Sequence, residues 1–198
     1  MKSLLNKMLN GRLNRWGFLA VLLLAAGATV AGMKDRQYRL GGAFIASDGK
    51  LVYNCVQSPY DPEGQRAALV VRIVHDDGSL AALLAAFGAN TSCEGVGEDV
   101  MISHDTAKWN MIAYAQAAGP PLQTKAIFVY SGTLKFTDRD NFVINYTLNV
   151  YPVDVPGLPN ADANHDGFPD AGATPALTIP GLTGTGKRVP TPPPVCGN

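Results

Sequence analysis

Between Phe142 and Val150 the chain alternates without a break, with Phe142, Ile144, Tyr146, Leu148 and Val150 on one side and Val143, Asn145, Thr147 and Asn149 on the other. Period two is the repeat of an extended strand, whose successive side chains point to opposite faces, and it excludes a helix, where apolar positions recur every three or four residues. One face is therefore buried and the other wetted. The preceding segment repeats the pattern through Ala126, Phe128, Tyr130, Gly132, Leu134 and Phe136, and Thr137-Asp138-Arg139-Asp140 joins the two as a hairpin loop. Gly132 is expected to mark a bend or bulge.

Shorter apolar runs between turn residues extend this reading toward the N-terminus. Residues 39–47 and 50–57 form strands joined by Asp48-Gly49, because Asp followed by Gly tolerates the positive φ angles of a tight hairpin turn. Further strands are expected at 67–75, 97–103, 107–115, 124–136 and 141–151. Ser79 is placed to cap a short alanine-rich helix over 80–87 that Gly88 stops, and with no polar face that helix is expected to be buried at one end of the sheet. The fold class is thus mainly β: a single antiparallel sheet, a small barrel or a sandwich of about seven strands with one short buried helix. The order of segments does not choose among the three.

After Tyr151 the composition changes abruptly. Ten of the chain's 14 prolines lie at or beyond position 152. The domain organisation read from this shift is a β-rich globular domain over 38–152 and a Pro/Gly-rich segment over 153–198, extended apart from one ordered loop, with 183–187 and 191–198 unstructured.

The N-terminus reads as an export signal. Lys2, Lys7, Arg12 and Arg15 precede an apolar stretch from Trp16 to Ala26, which is shorter than the ~20 residues that span a bilayer comfortably, and small residues then supply cleavage patterns at Ala26-Gly27-Ala28 and Thr29-Val30-Ala31. Residues 1–31 are a signal peptide cut after Ala31 or, if uncut, an N-terminal anchor; that segment is the sole expected contact with a membrane. The destination is periplasmic, cell-surface or extracellular. The whole chain carries 16 basic and 16 acidic residues, and loss of the four leader cations leaves an acidic remainder that lacks the basic footprint of nucleic-acid binding. An oxidising compartment also makes Cys55 and Cys93 candidates for a disulfide, leaving Cys196 over.

Few residues point to chemistry. Ser103-His104-Asp105 contains the residue types of a hydrolase triad, but neighbours on a strand face opposite ways, so the run reads as a turn. Glu98 and Asp99 are adjacent rather than placed across a cleft, and P-loop, GxSxG, HExxH and CxxC motifs are missing from the sequence, so no catalytic residues are assigned. The best motif is Asp162-Ala163-Asn164-His165-Asp166-Gly167-Phe168-Pro169-Asp170. Its oxygen-bearing side chains recur at loop positions 1, 3, 5 and 9, glycine occupies position 6, and the Phe168 carbonyl stands at position 7, the ring of oxygens a hard cation needs. These nine residues resemble the calcium loops of bacterial dockerin modules and thrombospondin type 3 repeats. The resemblance implies Ca²⁺ as cofactor, held by Asp162, Asn164, Asp166, Phe168 and Asp170. Ala173 stands where a full EF-hand loop carries its bidentate Glu, and Pro169 rules out the following helix, so the expected affinity is weak.

The whole chain is similar in leader, strand style and tail to exported bacterial proteins without an assigned activity. The function expected is that of an exported, non-enzymatic β domain with a structural or binding role toward a protein or surface polymer. The alternative is a lipocalin-like small barrel carrying a hydrophobic small molecule among Phe128, Tyr130, Phe142, Ile144 and Tyr146.

Overall fold

A computed structural model describes residues 38–190, so the leader, Cys196 and the last eight residues lie outside it. Among the described residues nine strands and one helix follow in order: β1 (Gly42–Ser47), β2 (Leu51–Pro59), β3 (Arg66–Asp76), α1 (Ser79–Ala86), β4 (Thr91–Ser92), β5 (Gly95–Met101), β6 (Thr106–Ala117), β7 (Gln123–Phe136), β8 (Asn141–Pro152) and β9 (Leu177–Arg188). Eight of them close an antiparallel barrel in the order β1-β2-β3-β5-β6-β7-β8-β9, with β9 returning to pair with β1. The two-residue β4 pairs with β6 beyond the end of β5. Closure removes the unpaired edges that an open sheet would present.

The β1–β2 hairpin turns at Asp48-Gly49, where Asp48 Oδ1 accepts the N–H groups of Lys50 at 2.9 Å and Leu51 at 2.8 Å. The β7–β8 hairpin repeats the device, with Asp138 Oδ1 accepting from Asp140 and Asn141. Along β7 and β8 the expected inward residues are buried from Phe128 and Val150 outward to Phe136 and Phe142. Gly132 makes no bulge, because the β7 register runs through it unbroken on both sides. It sits between Trp109 and Tyr146, its partners on β6 and β8, and lets those two rings approach to 5.7 Å between centroids. A side chain there would run into Tyr146 and the Asn145 carbonyl.

The largest departure from the sequence reading is β9. Residues 183–187, expected to be unstructured, lie inside a 12-residue strand that completes the barrel. Gly184 and Gly186 face inward, and the space their side chains would fill is taken by Ile144 and the Phe142 ring from β8. Thr183 and Thr185 are exposed outward, so the strand does alternate, with absent side chains as its buried half. Pro180 is accommodated at a bulge where Pro180 and Gly181 together oppose Thr147, a place where a missing N–H breaks no ladder bond. Gly181 takes φ +69, a left-handed value that suits glycine.

Both ends of the barrel are covered. At one end Leu80 and Leu84 of α1, with Phe87 and Ala89 after it, are buried, while Ala81, Ala82, Ala85 and Ala86 remain exposed. The helix is therefore buried along one side only. Ser79 is not its cap: Gly78 holds the N-cap position, and the Asp76 carboxylate accepts the N–H groups of Gly78, Leu80 and Ala81. A carboxylate reaching three free amides satisfies more donors than one serine hydroxyl can. At the other end Leu40 is buried and the Tyr38 ring stacks on Phe136 at 5.1 Å. The Arg188 guanidinium lies over the Phe44 ring at 4.6 Å.

Candidate functional site

The barrel axis is filled mainly by aromatic side chains. Phe44, Tyr53, Trp109, Tyr130, Phe142 and Tyr146 border a central cavity of about 60 Å³ with almost wholly apolar walls. A second void of about 20 Å³ lies toward α1 beside Phe128 and Leu80. All five residues expected to line a carrier's interior point inward, and they occupy that interior rather than enclose a large space.

Two polar groups interrupt these walls. Asp99 on β5 is only 1% exposed, and its Oδ2 accepts a 2.7 Å hydrogen bond from Gln57 Nε2, while Gln57 Oε1 accepts the Gly41 N–H. Burial pushes the Asp99 carboxyl up to about 7; the Gln57 hydrogen bond pulls the other way and neighbouring Glu98 adds a smaller push. Directly across from Asp99 stands Trp109, whose indole Nε1 is buried without a hydrogen-bond partner. Toward the α1 end, Tyr53 and Tyr146 both donate to Asp48 Oδ2, at 2.8 and 2.7 Å. Burial acts to raise the Asp48 carboxyl, but the amides of Leu51 and Lys50 and the two phenols outweigh it and leave it below its ordinary value. Glu98, next in sequence to Asp99, faces outward and pairs with Arg66 at 3.3 Å.

Sequence reasoning missed Gln57, Asp99, Trp109 and Asp48 as interior groups. In Gly95-Val96-Gly97-Glu98-Asp99-Val100 the valines look like the buried set, yet Gly95 and Asp99 are buried and Val96 is exposed. The available signal was the pair of glycines in phase with Asp99.

Cys55 and Cys93 are free thiols rather than the expected disulfide. Cys55 pairs with Val71 and Val71 with Gly95, so Cys93 lies two strand spacings away, about 10 Å, and two residues further along. That exceeds the reach of about 7 Å between Cα atoms that a disulfide can bridge. Burial, aided by the Asp99 charge, pushes the Cys55 thiol up to about 12, which leaves it inert as a nucleophile. At the β5–β6 turn Ser103 Oγ donates to Asp105 at 2.9 Å, so Ser103, His104 and Asp105 do not form a Ser–His–Asp relay.

No protein-family model, curated protein or solved structure matches this chain.

Asp162, Asn164, Asp166, Phe168 and Asp170 come together in the β8–β9 connection, which packs against the outer face of β7. Ile127, Val153 and Ala161 are buried beneath it, and the Tyr114 hydroxyl donates to the Gly167 carbonyl at 3.0 Å. The loop's oxygens are turned onto its own backbone. Asp162 accepts from Asp166 N at 3.0 Å and Gly167 N at 3.2 Å, Asn164 Oδ1 from Asp166 N at 2.9 Å, Asp166 Oδ1 from Phe168 N at 2.8 Å, and Asp170 Oδ2 from Ala163 N at 2.9 Å. Among the described residues no three His, Cys, Asp or Glu side chains gather as a metal cluster. The adjoining open hollow of about 490 Å³ is shared by Lys125, Asp154, Asp162 and His165. A cation there would compete with backbone donors for the same oxygens and would share the hollow with Lys125.

Proposed function

We propose that this chain is an exported, non-enzymatic barrel that works through its outer surface, as a structural or binding module in the periplasm or at the cell surface. The observation that carries the reading is the packed interior: a central void of about 60 Å³ falls far below the roughly 300–1,000 Å³ of ordinary small-molecule sites. With both ends covered, recognition is left to the outside. The basic leader with its short apolar stretch supports export. Native mass spectrometry of the chain isolated from its exporting cell tests this: the expected mass is that of the polypeptide alone, and a stoichiometric bound lipid would sink the proposal.

A second reading, the carrier of a hydrophobic ligand, draws on the apolar, aromatic lining of that same void. It requires the barrel to swell on loading, so a saturable rise in lipophilic dye fluorescence, abolished by Leu69→Trp on β3 where Leu69 borders the void, would support it over the first. The 162–170 loop is proposed as a weak Ca²⁺ site, supported by its spacing of oxygens and limited by the hydrogen bonds that already occupy them. Calorimetric titration with Ca²⁺ is expected to show millimolar binding that Asp166→Ala removes; heat equal to dilution would delete calcium from the account.

A further inference from the structure

The outer face of the barrel carries a row of apolar residues that runs across six strands at one level. The pairing register aligns Ala43, Val56, Val70, Val96, Ile112 and Val129, on β1, β2, β3, β5, β6 and β7 in turn. Val56, Val70 and Val96 are 43%, 39% and 53% exposed, high for adjacent β-branched residues that have polar alternatives on the same face. On one side of the row Arg72 pairs with Glu94 at 3.8 Å, and on the other Arg66 pairs with Glu98. In each pair the cation is on β3 and the anion lies in or just before β5. The opposite wall shows no such stripe: the outward residues of β8 include Asn145, Thr147 and Asn149, and those of β9 Thr183, Thr185 and Lys187.

We propose that this face binds a second copy of the chain, about a twofold axis that runs parallel to the strands between β3 and β5. The charge pattern selects that operator. A twofold parallel to the strands sets β3 of one copy against β5 of the other at equal height, so Val70 meets Val96, Arg72 meets Glu94, and Arg66 lies diagonal to Glu98. A twofold along the apolar row would instead bring Glu94 against Glu98 and place the arginines together, which like-charge repulsion disfavours. The row is also centred on the chosen axis, with three strands on each side, so Val56 faces Ile112 of the second copy. An isologous contact requires such self-complementarity. Two sheets meeting this way pack about 10 Å apart with interdigitating side chains, and barrel curvature confines the contact to the central four strands. The occupant deepens the reading of a barrel that acts by its outside and rests on it.

Sedimentation velocity of the full-length product across a hundredfold concentration range tests the pairing. The expected result is a monomer–dimer equilibrium that Val70→Lys weakens at least tenfold, with Val96→Lys as a second variant and circular dichroism confirming that each folds. Arg72→Glu or Glu94→Arg alone should weaken it several-fold, and the double exchange should restore it. A wild type that sediments as a monomer throughout, whether or not a different protein binds the face, or a dimer indifferent to both lysine variants, would overturn the twofold contact. Neither outcome touches the surface-acting reading, which falls only if a ligand is found inside the barrel.

Discussion

The two walls of this barrel follow opposite rules. Strands β7, β8 and β9 put rings, aliphatic chains and two glycines inside and mostly threonine, asparagine and lysine outside, whereas β2, β3 and β5 bury Gln57 and Asp99 and expose Val56, Val70 and Val96. Hydrophobic burial accounts for most of the first wall. The second departs from it on both faces at once, and such local conflicts tend to concentrate where a protein does its work. The contrast teaches where to cut: substitutions in the first wall should read out stability, and those in the second should read out charge state and association.

The largest effect is expected at Gly186. Gly186→Val would drive a branched side chain into the Phe142 ring and lower stability by about 4 kcal/mol, or prevent folding; Phe142→Leu in the same chain should recover part of the loss in a urea titration. If Gly186→Val were tolerated, the first wall would not be the packed one. Next is Asp99→Asn. A carboxyl held at about 7 in the folded barrel, against its ordinary value near 4, contributes stability that is fully present below pH 4 and lost as pH rises through 7. The amide should therefore be more stable than wild type at pH 8, by up to about 4 kcal/mol, and match it at pH 4. Equal pH profiles for the two proteins would remove Asp99 from the interior.

Smaller effects sharpen the picture. Asp162→Ala leaves the Gly167 amide without its acceptor and the Asp166 amide with Asn164 Oδ1 alone, and should cost about 1–2 kcal/mol, with chelator making no difference to wild-type melting if the hydrogen bonds alone hold the loop. Val56→Thr should change the unfolding free energy of the monomer by less than about 0.5 kcal/mol, since half its surface is already wet. A large loss there would mean that the valines belong to a hidden core rather than to an interface.

The first wall was largely legible in the sequence and the second was not. The alternation in Phe142–Val150 and in Ala126–Phe136 announces β7 and β8 because bulky inward residues and polar outward ones differ in kind. Strand β9 escaped because Gly184 and Gly186 contribute vacancy, not bulk, to the interior; the signal lies in Thr-Gly-Thr-Gly only when read against the rings opposite. On β5 the pattern misleads, since the apolar Val96 is outside and the carboxylate of Asp99 inside. The Asp162–Asp170 loop was found as a local motif, while the packing of Ile127 and Tyr114 beneath it depends on tertiary contact that no short window contains. The disulfide failed for a related reason, because spacing along the chain says nothing of the strands lying between Cys55 and Cys93.

One consequence concerns the order of events. The barrel is sealed by its first strand meeting its last, β1 on β9, so the closing contact joins residues about 140 positions apart and cannot form until residues 185–188 have been made. Until then hairpins such as β7–β8 can form locally, but the cylinder stays open along one seam. For the export proposed above that delay would be an advantage, since a chain threading a narrow membrane channel in extended form would lock its shape only on the far side.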